Sequence, residues 1–252
     1  MIFSHVAKLV LVLVLCFIFS ESILATVLPT KQPPSLFVVI AGNGSCRRKT
    51  TFQNIPGLID TQLFQSFVQT MLNKGAVTNE DHIIFACYEW QSPQMKYYER
   101  NISNHMSPIH ESQLDQVVLR QASHFQRIVI IGHSHAGWRA MKLASSSLLL
   151  SAVQGPILLA TIDPVSRIQC QRLRDPGCRH APTDLSKEEF SQLKTRTHWL
   201  NFYHQPAKIL GSSPIREADC NVKVDANHVL MQTDPLVWKN IYQFVRSHYE
   251  RN

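Results

Sequence analysis

Short, unbroken apolar runs separated by helix-period segments set the strongest limit on the fold of this chain. Residues 36–41 read Leu-Phe-Val-Val-Ile-Ala, and 82–88, 127–132 and 156–162 repeat that character as HIIFACY, RIVIIG and PILLATI. A strand with one wet face alternates apolar and polar residues. These runs do not alternate, so both of their faces must be covered. Between them, apolar residues recur at helical spacing. Leu58, Ile59, Leu63, Phe64, Phe67, Val68, Met71 and Leu72 mark a helix over 58–74, with Gly75 as its C-cap. Leu114, Val117, Val118 and Ala122 mark a second helix, and a third is expected over about 136–148. Further strands are expected at 199–203 and, shorter, at 222–224. A last helix starts at Asp234-Pro235, a capping residue followed by Pro in the first turn. This alternation predicts one α/β domain, a three-layer α/β/α sandwich with a mostly parallel central sheet.

Composition narrows the field without choosing a function. The 252 residues are 44% hydrophobic and 17% charged, too apolar for a disordered chain. No repeat of 20–50 residues points to a solenoid. The net charge of +7 favours nucleic acid, anionic lipid or an acidic substrate, and does not separate them.

The first 25 residues read as an export signal. Lys8 precedes an apolar run over 9–19, whose helix would rise only about 16 Å, short for a membrane span. Ser20 and Ser22 fit a cleavage pattern of small residues, and Ala25 offers a second site. An uncleaved anchor is the alternative. The expected organisation is a signal peptide over 1–25, a linker over 26–32 and a domain over 33–252, placing the protein outside the cell or in a periplasm. Without Cys16, Cys46, Cys87, Cys170, Cys178 and Cys220 remain, and an oxidising compartment favours disulfides among them. Cys46 with Cys87 and Cys170 with Cys178 are possible pairs, but spacing alone does not fix connectivity.

Sheets of this kind carry their chemistry at the carboxyl ends of the strands. After the third run comes Gly132-His133-Ser134-His135-Ala136-Gly137. A buried strand, a sharp turn with Ser at its tip and then a helix form a nucleophile elbow. A strained turn needs small residues two positions to either side of the Ser, and Gly132 and Ala136 supply them. This segment resembles the α/β-hydrolase superfamily, in particular its small secreted lipase- and esterase-like members. The family pattern is G-x-S-x-G, from which Ala136 is a departure to another small residue. The plain alternative is a Ser acting as an ordinary N-cap.

The resemblance implies a compact α/β-hydrolase fold that begins near the superfamily's third strand, and a Ser, acid, His order along the chain. Ser134 would be the nucleophile. Asp163, directly after the fourth strand, would be the acid, with Asp219 and Asp225 as later alternatives. His228, in the loop before the last helix, would be the base, with His204 as runner-up. A serine needs such a base, and the base an orienting carboxylate, to attack a carbonyl. Oxyanion donors would be the backbone N–H of His135 and of Gly42 or Asn43, in the Gly42-Asn43-Gly44 loop. The implied activity is ester hydrolysis on a small-molecule or lipid ester, with thioester or amide substrates and a non-catalytic scaffold as alternatives.

Neither a cofactor nor a metal is expected. His133 and His135 flank Ser134, but two His at i and i+2 in a sharp turn point apart. The basic residues are dispersed and match no nucleic-acid motif. Arg47, Arg48 and Lys49 follow the oxyanion loop, and Arg167, Arg172, Arg174 and Arg179 follow the acid. They form either a positive rim that attracts anionic substrates or a membrane surface, or ordinary solvated loops. Acyl length and oligomeric state are left open by the sequence.

Overall fold

The apolar runs lie side by side at the centre of an eight-stranded sheet in a computed structural model of the chain. The described residues are 33–47, 62–90, 92–100, 102, 106–172, 180–204 and 212–249. The export segment and linker of the sequence reading lie outside them, as do the sequence positions Arg48, Lys49, Arg174, Cys178 and Arg179. In chain order the strands are β1 (Ser35–Ala41), β2 (His82–Tyr88), β3 (Gln94–Glu99), β4 (Ser107–His110), β5 (Arg127–His133), β6 (Ile157–Ile162), β7 (Thr197–Tyr203) and β8 (Cys220–Lys223). Their order across the sheet is β4-β3-β2-β1-β5-β6-β7-β8. Pairing is parallel from β2 through β1 and β5 to β8, and antiparallel at β2–β3 and β3–β4.

The helices are α1 (Gln62–Phe67), which continues as a π turn over Val68–Leu72, α2 (Leu114–Ala122), α3 (His135–Ala144), α4 (Ser147–Ala152), α5 (Arg167–Arg172), α6 (Lys187–Arg196) and α7 (Pro235–Tyr249). Alternate residues of the central strands face opposite layers. Phe37, Val39, Phe85, Ile131 and Phe202 pack with Phe64 and Phe67 of α1 and Trp238 and Ile241 of α7. Leu36, Val38, Ile40, Ile130 and Leu159 pack with α2, α3 and α6 through Val118, Ala140 and Leu193. Burial on both faces explains why the runs are continuous, and the result is the expected three-layer sandwich.

The departures have local causes. No apolar run or helical period marks an element over 89–110, where β3 and β4 form. These are edge strands with mixed polarity, and Pro108 is tolerated because β4 lies at the sheet's edge. The third expected helix breaks at Ser145, whose Oγ donates to Lys142 O at 3.0 Å, and a new helix starts at Ser147. Helices α5 and α6 carry too few buried apolar residues to show a period. Helix α6 does carry a readable signal, a capping box in which Ser186 Oγ accepts from Glu189 N–H and the Glu189 carboxylate accepts from Ser186 N–H. Gly75 ends the π turn at φ 72°, as a C-cap should.

Candidate active site

Ser134 stands between β5 and α3 with φ 60° and ψ −131°. A non-glycine residue held there is strained, at a cost of about 1–3 kcal/mol. The turn is closed by close packing on both sides. A Cβ at Gly132 would lie 2.3 Å from Ala136 O, so no side chain fits there. A Cβ at Gly42 would lie 2.8 Å from Ser134 Cβ, so the β1 loop runs directly against the serine. Ser134 N–H continues the ladder to Ile162 O at 3.0 Å, which fixes the turn to the end of β6.

Asp163 follows that same strand end, with φ 45° and no solvent exposure. Burial pushes its pKa up, but donors from His228 and Ser212 outweigh it and hold the group at about 2. It is therefore an acceptor-only carboxylate at neutral pH. Oδ1 accepts Ser212 N–H at 2.8 Å and Ser212 O–H at 2.6 Å. Oδ2 accepts Nδ1–H of His228 at 2.6 Å and Nδ1–H of His204 at 2.8 Å.

His228 is placed by its neighbours. Asn227 Oδ1 accepts Val229 N–H at 3.1 Å and Leu230 N–H at 3.0 Å, capping the 3-10 turn Leu230–Thr233 just after it. His133, at the end of β5, donates Nε2–H to His228 O at 2.9 Å, and the two rings lie 4.9 Å apart. Burial, and then the adjacent His228, hold His133 down at about 3, so it is a neutral imidazole. On its far side, His228 Nε2 accepts Ser134 O–H at 2.9 Å.

The structure thus joins Ser134, His228 and Asp163 in one hydrogen-bonded chain. The later carboxylates are elsewhere. Asp219 accepts Trp199 N–H at 2.8 Å near the start of β7, away from the serine, and Asp225 is exposed. The runner-up His204 shares the acid but makes no hydrogen bond to Ser134 among the described residues. The sequence reading missed Ser212 and the supporting use of His133. A buried His beside the elbow was the available signal for the latter.

The backbone N–H of His135 lies in the first turn of α3, where N–H groups have no partner within the helix. On the other side, Gly42 O accepts Ser45 N–H at 3.2 Å and Ser45 O–H at 2.5 Å. A trans peptide points its N–H opposite to its C=O, so Asn43 N–H is turned away from that contact. Cys46, two residues beyond Gly44, is bonded to Cys87 of β2. Cys170 is also disulfide-bonded, and its Sγ lies 3.5 Å from His135 Nε2. Arg167 donates Nε–H to Ala181 O at 2.9 Å and so pins its own loop. The side chains of Arg47 and Arg172 lie outside the described residues. Among the described residues, no group of three His, Cys, Asp or Glu is arranged to hold a metal ion. A cavity of about 390 Å³, lined by Thr197, Trp199 and Asp219 among others, contains none of the residues around Ser134.

A parallel sheet with a strained serine turn after β5, a buried carboxylate after β6 and a histidine before the last helix is the arrangement that the resemblance to α/β-hydrolases implies. No protein-family profile matches the chain, and no curated protein matches it. Several solved structures share a distant likeness. A fungal esterase from Rhizomucor miehei is 13% identical, with a TM-score of 0.42, over 88% of this chain and 78% of that one. A Lactobacillus plantarum WCFS1 protein named as a cell surface hydrolase is 12% identical, with a TM-score of 0.41, over 87% of this chain and 93% of that one. The thioesterase domain of Vlm2 is 13% identical, with a TM-score of 0.38, over 87% of this chain and 93% of that one. Likeness this slight assigns neither activity nor substrate.

Proposed function

We propose that this protein is an exported serine hydrolase that cleaves carboxylic esters through an acyl-enzyme. One observation carries the reading: the unbroken chain from Ser134 Oγ through His228 to Asp163, at 2.9 and 2.6 Å, built on a serine with positive φ.

The chemistry follows from these positions. Ser134 Oγ attacks the ester carbonyl as His228 Nε2 takes its proton. Asp163 keeps Nδ1 protonated and stabilises the imidazolium that forms. The backbone N–H of His135 and that of Asn43 or Gly42 hold the negative oxygen. The tetrahedral intermediate collapses as His228 returns the proton to the departing alcohol. Water, activated by the same His228, then attacks the acyl-enzyme carbonyl, and a second collapse frees the acid and the serine. No step draws on a cofactor or a metal.

Disulfides at Cys46–Cys87 and at Cys170 support an oxidising compartment and so a cleaved leader over 1–25. The basic residues after the oxyanion loop and after the acid favour anionic esters or brief contact with an anionic membrane surface.

The test is hydrolysis of p-nitrophenyl esters of increasing acyl length, with fluorophosphonate labelling of wild type and of Ser134→Ala. Labelling and turnover that vanish together in the variant are the expected result. A wild-type protein inert to every ester and unlabelled by the probe would leave a non-catalytic scaffold. Turnover of thioesters or amides but not of oxygen esters would move the substrate class.

A further inference from the structure

Asp163 Oδ2 receives two histidines where this chemistry uses one. His228 Nδ1 lies 2.6 Å from it and His204 Nδ1 lies 2.8 Å from it. The other oxygen is occupied by the N–H and O–H of Ser212. An ionised carboxylate offers about four lone-pair sites. All of them are used here. His204 directly follows β7, and its side chain is only 16% exposed. The strand that carries it is fixed to the acid by the backbone as well, because Asp163 N–H donates to Phe202 O at 2.8 Å.

We propose that His204 is a positioning residue of the hydrolytic site. It occupies one acceptor position of Asp163 Oδ2, so that the other position of that oxygen is left to His228 Nδ1. The inference rests on the serine hydrolase reading. It matters because the acid has to meet the imidazolium without reorientation, and small misplacements of a reacting group are costly. A carboxylate gripped only by Ser212 on Oδ1 would keep freedom of rotation at Oδ2. The Nδ1–H of His204 removes that freedom.

The experiment compares His204→Asn, which keeps an N–H donor but does not titrate, with His204→Leu, which removes the donor. Both are assayed on p-nitrophenyl butyrate, with competent sites counted by fluorophosphonate labelling. The expected result for His204→Leu is a fall in kcat per labelled site of about tenfold, with KM changed less than about twofold. His204→Asn should recover most of that loss. A His204→Leu protein with wild-type kcat overturns the inference. So does a loss of labelled sites at unchanged rate per site, which would make His204 merely structural. His204→Asn as poor as His204→Leu also overturns it, since the hydrogen bond would then not be what matters. If wild type itself takes no label, the serine hydrolase reading fails and this inference goes with it.

Discussion

Ser134 and Asp163 end adjacent parallel strands and, among the described residues, are the two non-glycine residues with positive φ, at 60° and 45°. Each still donates its N–H across the sheet, to Ile162 O and to Phe202 O, at 3.0 and 2.8 Å. The sheet therefore holds both residues in a conformation they would not adopt alone. Strain at two successive strand ends turns both side chains out of the pleat, where one histidine bridges them.

Relief of that strain separates stability from activity. Ser134→Gly should remove an unfavourable φ and raise stability by about 1 kcal/mol, while ester hydrolysis falls by about four to six orders of magnitude. Ser134→Ala should lose the same activity without the gain, because alanine keeps the Cβ. Thermal melts of the three proteins check this. A Ser134→Gly protein less stable than Ser134→Ala would contradict stored strain at the elbow.

The two close approaches around the serine differ in what they protect. A Cβ at Gly132 meets the backbone oxygen of Ala136 at 2.3 Å, so Gly132→Ala must displace α3 and is expected to fold poorly. A Cβ at Gly42 meets Ser134 Cβ at 2.8 Å and His133 O at 2.9 Å. Gly42→Ala should push the oxyanion loop away from the serine, costing about 1–3 kcal/mol in stability. It should also cost about a hundredfold in kcat, as removal of one oxyanion donor does. Equal activity in Gly42→Ala and wild type would remove that loop from the chemistry.

Which parts of this site could be read in advance depends on chain locality. The elbow is local: Gly132, Ser134 and Ala136 sit within one turn, and their small size is a direct consequence of the turn. Asp163 was legible because it ends a strong strand, and His228 because it precedes a well-capped helix. Ser212 and the second role of His204 were not legible. Their meeting at Asp163 spans 49 and 41 residues of sequence and depends on how β7 lies beside β6. For the same reason Asp219 stayed a candidate acid until its bond to Trp199 N–H placed it near the wrong end of β7. Accordingly, Asp219→Asn and Asp225→Asn should keep turnover within about threefold, whereas Asp163→Asn should lose about four orders of magnitude.

The neutral His133 gives the stability curve a sign. Its folded value of about 3 lies below the ordinary 6.5. Between those values the unfolded chain binds a proton that the folded protein does not, so stability falls as pH is lowered across that window. Asp163, held at about 2 against an ordinary 3.8, adds a second loss as pH falls through that lower range. His133→Gln keeps a donor for the His228 carbonyl but cannot titrate. Urea unfolding at several pH values should show a flatter curve between about pH 6.5 and 3 for that variant, and an unchanged slope would place the titration elsewhere.

The Cys46–Cys87 bond bears on both stability and the position of the Gly42-Asn43-Gly44 loop. It closes a segment of 41 residues and ties the turn after Gly42-Asn43-Gly44 to β2. Restricting the unfolded chain over such a loop stabilises the fold by about 4 kcal/mol in the chain-entropy picture. Cys46→Ala with Cys87→Ala should lose stability of that order. The catalytic cost has a separate origin. Ser45, next to Cys46, holds the Gly42 carbonyl, and that contact turns Asn43 N–H the other way. Untethering the turn should therefore lower kcat more than it raises KM, because the oxyanion forms only after substrate has bound. Mild reduction of wild type should reproduce the drop, and reoxidation should restore it. A double variant with full kcat at a temperature where it remains folded would show that the oxyanion loop keeps its position without the tether.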